Sequence, residues 1–174
     1  MNEQTRLLEN LIAELNAGDG SVRGDLLSLA CQQLTEMTAR IHRDFGLTAQ
    51  DTSTDLLEQA SLRLYQSLHD LPIKDVRHFY QVAALAIRKE LIQLCDDSPP
   101  TESKLSPAAI QQWAHFHETV DGLPDQQREV FELVWYHDLT RDEVAELMSV
   151  PISDIRRLWR SARLSLHDGL PADD

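Results

Sequence analysis

Apolar residues recur every three or four positions through the first part of the chain, with polar residues between them. One run spans Leu7 to Leu15 and stops at the sequence NAGDG, and a second spans Arg23 to Phe45. A third follows TAQDTSTD, where Ser53 or Thr54 can cap it, and continues to Leu68. Spacings of three and four place the apolar residues on one face of an α-helix, so the pattern predicts three amphipathic helices.

The pattern continues, is interrupted once, and then returns. A fourth helix is predicted from Val76 to Cys95, after the break at HDLPIKD. The segment Asp96 to Pro107 carries three prolines and no apolar repeat, which is typical of a linker. Helical spacing resumes from Ala108 to Val120. The pattern therefore predicts an all-α fold with two small helical domains joined by a flexible linker. The predicted division is 1–95, 96–107 and 108–174.

The second predicted domain has the layout of a helix-turn-helix. A helix from Asp125 to His137 precedes a short helix from Arg141 to Met148, and the turn SVP leads into a final helix, Ser153 to His167. Thr140 is a candidate N-cap, and Glu143 three positions later would complete a capping box. Ser149 stands where a helix-turn-helix usually has its turn glycine, and a left-handed serine there would cost about 1 kcal/mol relative to glycine.

Positive charge is concentrated on this final helix, although the formal net charge of the chain is -13. Ser153 or Asp154 can cap the helix. Its apolar stripe is Ile155, Leu158, Trp159, Ala162 and Leu166. Its basic residues are Arg156, Arg157, Arg160 and Arg163. A recognition helix presents arginines in this way to phosphates and base edges. The alternative is a solvated basic face that balances an acidic body.

The composition narrows the function classes. A chain with this net negative charge repels the phosphates of nucleic acid, so a protein that binds nucleic acid by itself is disfavoured. A protein that contacts DNA locally, while a larger partner supplies most of the affinity, is favoured. No apolar run approaches the roughly 18 residues of a membrane span, and the N-terminus lacks a signal-peptide pattern, so we expect a cytoplasmic protein. Cys31 and Cys95 are expected to be reduced thiols. No metal, cofactor or enzyme motif is recognised.

Two stretches resemble parts of one protein family. LPDQQREVFELVWYHDLTRDEVAELMSVPISDIRRLWRSARLSL resembles the fourth region of sigma-70-family RNA polymerase sigma factors, and DTSTDLLEQASLRLYQSLHDLPIKDVRHFYQVAALAIRKELIQL resembles their second region. The pair looks like the extracytoplasmic-function (ECF) group, which keeps only these two regions. LLENLIAELNAGDGSVRGDLLSLACQQL and RRLWRSAR, with Trp159 in the last helix, look closest to a planctomycete-enriched ECF subgroup.

The resemblance implies a non-enzymatic promoter-specificity subunit that binds core RNA polymerase at the β′ clamp and β flap. The helix from Asp55 to Leu68 would dock on the clamp. Its polar candidates are Asp55, Glu58, Arg63 and Gln66. The final helix would read the upstream promoter element through Arg156, Arg157 and Arg160, with Arg163 on phosphate. An anti-sigma factor is a further candidate partner, and a monomer is expected.

The resemblance also implies a downstream DNA contact. The helix from Arg77 to Leu94 would engage the melted promoter element, and the loop Leu71 to Val76 would accept a flipped-out base. The candidate residues are Arg77, His78, Phe79, Tyr80, Arg88 and Lys89. Aromatic residues at the start of an apolar helix can equally be core residues, and the charged residues can be a solvated face.

Several positions depart from the family pattern. Asp96 and Asp97 stand where ECF proteins carry basic residues, and Asp138 replaces another usual glycine. Carboxylates at the end of the region 2-like helix would weaken a DNA contact. Two alternatives therefore stay open: a helix-turn-helix regulator that binds DNA without polymerase, and a degenerate sigma-like protein that only binds a partner.

Overall fold

The computed structural model describes residues 3–44, 53–70, 72–97 and 115–167. These residues form α-helices joined by turns, together with one short 3₁₀ turn and one π-helical turn, as the all-α prediction requires. The helices before the gap at 98–114 are α1 (Glu3–Asn16), α2 (Arg23–Asp44), α3 (Ser53–Asp70) and α4 (Val76–Asp97). After it come α5 (described over 115–121), α6 (Asp125–Phe131), α7 (Arg141–Met148) and α8 (Ile152–Ser165).

The first helix ends where the sequence NAGDG predicts. Gly18 has a φ of 99°, a left-handed value that suits a residue without a Cβ, and its N–H donates to the carbonyl of Leu15. Asp19 then accepts a hydrogen bond of 2.9 Å from the N–H of Ser21 and caps the 3₁₀ turn Gly20–Val22. This turn reverses the chain, so that α2 packs back against α1.

Helix α4 is the centre of the core. Its residues are buried on nearly every side, including Phe79 and Tyr80 near its start and Ile87 further along. Small residues such as Ala83 and Ala84 let neighbouring helices approach closely. Helices α1, α2 and α3 pack against α4, and so does the turn that follows α6. The core is therefore shared between the parts of the chain that precede and follow residues 98–114.

The segment after α6 is not the continuous α-helix that its apolar spacing predicts. Residues Glu132–Tyr136 form a π-helical turn, in which the N–H of His137 donates to the carbonyl of Glu132 at 3.2 Å. A π-turn holds one more residue than an α-helical turn. Glu132, Leu133 and Tyr136 of this turn are all buried.

Two predicted helix boundaries need correction, and three further predictions concern parts of the chain that the structure does not describe. Helix α8 begins at Ile152 with Pro151 at its N-cap position and no side-chain cap, so the predicted cap at Ser153 or Asp154 is wrong. Helix α4 continues to Asp97, so Asp96 and Asp97 are helical rather than part of a linker. Their side chains, the rest of the predicted linker and the predicted start of α5 at Ala108 lie outside the described residues.

Within the described ranges, no helix combines the length and apolarity that crossing a bilayer would need. Cys31 is half-buried and reduced, with its thiol 3.3 Å from the Ser61 hydroxyl.

Candidate nucleic-acid interface

The capping box predicted at the start of α7 is present. The N–H of Glu143 donates to the Thr140 hydroxyl oxygen at 3.3 Å, and the Thr140 N–H donates to the Glu143 carboxylate at 2.8 Å. These two bonds satisfy backbone donors that the first helical turn leaves without partners. They fix where the first helix of the helix-turn-helix begins.

The turn between α7 and α8 contains a left-handed serine at the position where a glycine is usual. Ser149 adopts a φ of 55°, and the N–H of Val150 donates to the carbonyl of Ala145 at 3.0 Å, the long bond of a Schellman motif. Asp138 also has a positive φ of 57° at the turn before α7. At both positions a residue with a Cβ therefore adopts a backbone conformation that favours glycine.

Helix α8 has one face toward the core and one toward solvent. Ile155, Ala162 and Leu166 are buried, and Leu158 and Trp159 are half-buried. The indole of Trp159 stacks on the ring of Phe131, which fastens α8 to α6. The predicted apolar stripe is therefore confirmed.

The arginines of α8 lie on its other side. Arg156, Arg157 and Arg160 are exposed, while Arg163 is half-buried. Arg157 makes an ion pair of 3.3 Å with Asp154, in which both side chains are largely accessible to water, so the pair contributes little stability. For Arg156 and Arg160, the described part of the chain offers no acidic partner. This basic ridge, formed by Arg156, Arg157 and Arg160, is available to an anionic ligand.

A comparison with protein families agrees with this geometry. Residues 120–168 match the family model described as sigma-70, region 4. The match covers α6, α7 and α8 in full. Over these residues the chain is similar to region 4 of the sigma-70 family. The region 4 match indicates a sigma factor or a helix-turn-helix DNA-binding role, and neither is an enzymatic activity. No curated protein matches the chain.

The predicted downstream residues occupy a different environment. Phe79 and Tyr80 are fully buried, which places their rings in the core rather than on a surface. His78 is half-buried, and its Nδ1 accepts from the N–H of Lys74 at 3.3 Å. Lys89 is exposed. In this arrangement, neither aromatic ring can stack on a base.

The two arginines of the downstream set form ion pairs with residues that follow the gap at 98–114. Arg77 donates from Nε and Nη2 to the two carboxylate oxygens of Glu129, at 2.7 and 2.8 Å. Arg88 is 3% exposed and donates to Glu132 and, at 2.9 Å, to Asp121. Sequence reasoning did not identify these acidic partners, because nothing in a helical repeat shows which distant helix a charged side chain will meet.

Hydrogen bonding and burial shift the pKa values of the groups in these ion pairs. The hydrogen bonds with Glu129 raise the pKa of Arg77 above its ordinary value. Burial raises the pKa of Glu132, and the opposing attraction of Arg88 does not cancel this effect. A buried ion pair of this kind adds little net stability, but removal of one partner leaves an uncompensated charge. The pairs therefore specify how the two parts of the chain meet more than they stabilise the fold.

The predicted polymerase-docking residues do not share one face of α3. Glu58 and Gln66 are exposed, but Arg63 turns toward α4 and donates to the carboxylate of Glu90. The Asp55 side chain lies outside the described residues. Leu62 and Tyr65, which the sequence analysis did not select, are each 50% exposed. Neither lies on the buried face of α3, which is formed by Ala60, Leu64 and Leu68. A large apolar residue away from the buried face of a helix is the signal that could have found them.

Proposed function

We propose that the protein is a sigma factor that directs promoter-specific initiation by RNA polymerase. The observation that carries this proposal is the region 4 match across a helix-turn-helix whose last helix exposes the basic ridge. We propose further that it belongs to the ECF group, in the planctomycete-enriched subgroup, and acts in the cytoplasm as a monomer. Its partners would be core polymerase, promoter DNA and an anti-sigma factor.

The basic ridge would read the upstream promoter element. In a helix-turn-helix, the second helix enters the major groove, and arginine can donate two hydrogen bonds to a guanine edge. Arg156, Arg157 and Arg160 are exposed along the first turns of α8, where a groove would meet them. Arg163 is half-buried and further along, which suits a phosphate contact.

The exposed face of α3 would dock on the β′ clamp. Glu58 and Gln66 supply polar groups, and Leu62 and Tyr65 supply apolar surface between them. Aromatic and apolar side chains surrounded by polar groups are typical of protein interfaces. Arg63 is left out of this proposed surface, because it already pairs with Glu90.

The net charge of -13 supports a role that depends on polymerase. Long-range repulsion between an acidic protein and DNA weakens independent binding. A sigma factor avoids this difficulty because core polymerase supplies most of the DNA affinity. The basic ridge then needs only to select the site.

Run-off transcription with purified components tests the proposal. Core polymerase and a promoter library are mixed with the protein, and the transcripts are sequenced. We expect transcripts that start at defined promoters only when the protein is present. The double variant Arg156→Ala/Arg160→Ala should lose them while it still binds polymerase. Arg6→Ala, which removes an exposed charge from α1, is the control and should leave transcription unchanged.

The other outcomes identify the alternatives. Sequence-specific binding of duplex DNA without polymerase would indicate an independent regulator. Binding to core polymerase without any promoter-dependent transcript would indicate a degenerate sigma-like protein. Either result would overturn the proposal.

A further inference from the structure

Asp154 lies in the first turn of α8 but does not cap the helix. Pro151 holds the N-cap position, where no side-chain hydrogen bond is made. The Asp154 carboxylate instead accepts a hydrogen bond of 3.3 Å from Nη2 of Arg157, almost one helical turn further along. The acidic group therefore contacts an arginine of the basic ridge, a side chain that the proposed function places on DNA.

The three arginines of the basic ridge differ in what holds them. Arg157 has the Asp154 carboxylate beside it, whereas no acidic partner of Arg156 or Arg160 is found among the described residues. At 100° per residue, Arg157 lies roughly 60° around the helix axis from Arg160, on the flank that faces Asp154. An arginine without a partner samples many rotamers, and a partner restricts them. Arg157 is therefore the ridge arginine whose guanidinium group is oriented before a ligand binds.

This ion pair is better suited to recognition than to stability. The side chains of Arg157 and Asp154 are 70% and 45% exposed, so water screens the pair in the free protein. A DNA duplex on the ridge would exclude that water and strengthen the attraction, because the effective dielectric constant falls. An arginine reads a guanine edge through two hydrogen bonds, and a guanidinium group that is already oriented loses less entropy when it forms them.

A carboxylate on the DNA-facing side of a helix also opposes binding in general. Its negative charge repels the phosphate backbone and offsets part of the charge of Arg157. Phosphate contacts carry no sequence information, whereas base contacts do. Asp154 therefore weakens binding to every sequence alike, while the orientation of Arg157 favours one base pair over the others.

We infer that Asp154 is a positioning residue for promoter recognition, which holds the Arg157 guanidinium group in the orientation that reads one base pair of the upstream element. This inference rests on the proposed function, because it takes the basic ridge as the surface that reads the promoter. Arg157 then makes a rigid contact, and Arg156 and Arg160 make contacts that adapt to the DNA. Asp154 itself touches neither base nor phosphate.

Competitive run-off transcription with core polymerase tests this role. The templates are the single-base variants of the upstream element of one promoter. Arg157→Ala identifies the base pair that Arg157 reads, because discrimination there should fall by about 5-fold or more. Asp154→Ala should lower discrimination at that base pair alone by about 2- to 5-fold, the range that an exposed ion pair gives.

The affinity for non-cognate DNA should change in the opposite direction. It is measured for the full chain by fluorescence anisotropy with a non-cognate duplex at low KCl concentration. Asp154→Ala should bind this duplex more tightly than the wild type, because a negative charge has been removed from the ridge. Weaker binding of this duplex by Asp154→Ala would contradict the inference, since it would mean that the substitution damages the whole surface.

Two further variants separate positioning from a structural role. Asp142→Ala removes an exposed acidic residue from the first turn of α7, and it should leave discrimination unchanged at every base pair. Asp154→Glu keeps a carboxylate three positions before Arg157, and it should retain most of the wild-type discrimination. Urea unfolding should show similarly small losses of stability in the two alanine variants, because each removes a negative charge from the start of a helix.

A second measurement needs neither DNA nor polymerase. The heteronuclear NOE of arginine Nε reports side-chain motion on the picosecond to nanosecond timescale. In the free wild-type chain, we expect a higher NOE for Arg157 than for Arg156. In Asp154→Ala, the NOE of Arg157 should fall to the value of Arg156.

The outcomes distinguish the positioning role from the proposed function. Unchanged discrimination in Asp154→Ala, or no base-specific loss in Arg157→Ala, would overturn the positioning role and leave the sigma-factor proposal intact. Equal NOE values for Arg157 and Arg156 in the wild type would overturn it as well. If run-off transcription fails, the same discrimination is measured by anisotropy on duplex variants. A shared base-specific loss there would support the positioning role and overturn the sigma-factor proposal alone, and its absence would overturn both.

Discussion

The indole of Trp159 and the ring of Phe131 are stacked, with centroids 5.5 Å apart and planes inclined by 15°. Phe131 stacks in turn on Trp135 at 5.7 Å and 16°. Helix α8 is therefore joined to α6 and to the π-helical turn through three successive aromatic rings.

The stack predicts that Trp159→Ala is strongly destabilising. Removal of a half-buried indole leaves a cavity beside Phe131, so we expect a loss of about 2–3 kcal/mol in the free energy of unfolding. Urea unfolding followed by circular dichroism measures it. Leu164→Ala, at a side chain that is 70% exposed, is the control and should stay within about 0.5 kcal/mol of the wild type. Equal losses in the two variants would contradict the stack's role.

The left-handed turn predicts a stabilising substitution. Ser149→Gly removes the steric cost of a φ of 55° on a residue with a Cβ, and we expect a gain of about 0.5–1 kcal/mol after the extra entropy of glycine is counted. Ser161→Gly, inside α8, should instead lose about 0.5 kcal/mol because glycine is a poor helix former. Thermal unfolding of the two variants measures both changes in stability. A lower stability of Ser149→Gly than of the wild type would refute the prediction.

The buried His117 predicts loss of stability in mild acid. Burial, and then the charge of Arg88, lower the pKa of His117 to about 3. In the unfolded chain the pKa is near 6.5, so between these values the unfolded state binds a proton that the folded state does not. We expect about 1.4 kcal/mol of stability to be lost between about pH 7.5 and pH 5.5 through this residue alone.

The variant His117→Gln isolates that contribution. Glutamine does not titrate, and its amide can still bond to the Tyr136 hydroxyl, which lies 2.7 Å from Nδ1 of His117. Urea unfolding at the two pH values should show a smaller acid loss in the variant than in the wild type. Identical pH dependence in the two proteins would show that His117 does not cause the loss.

The basic ridge predicts a change in promoter specificity. If Arg156 reads a base edge, Arg156→Ala should relax discrimination at one upstream base pair by about 1–3 kcal/mol and leave the other positions unchanged. Competitive run-off transcription on single-base variants of one promoter measures this effect. A uniform loss across all promoter sequences would instead identify Arg156 as a phosphate contact.

The sequence was most informative where structure is local. Thr140 and Glu143 are three residues apart, so a capping box could be predicted from spacing alone, and the stripe on α8 follows from helical periodicity in the same way. The left-handed Ser149 could be predicted because the turn geometry demands it. The predicted cap at Ser153 is wrong because Pro151, with its restricted φ, takes the N-cap position two residues earlier, so that the helix begins at Ile152.

Contacts between distant residues could not be predicted from the sequence. Arg88 and Glu132 are 44 residues apart, and each alone fits a solvated helix face as well as an ion pair. The burial of Tyr80 likewise depends on which helix covers α4. The acidic partners of Arg77 and Arg88 could therefore not be predicted from the pattern of apolar and polar residues.

The π-helical turn at Glu132–Tyr136 makes the length of this segment as important as its composition. A further residue inserted there could not be absorbed in the same way, and it would rotate everything that follows by about 100° relative to α6. Leu139 and the start of α7 would then point away from their present neighbours. Homologous proteins that keep this architecture should accordingly tolerate substitutions across the turn far better than further insertions.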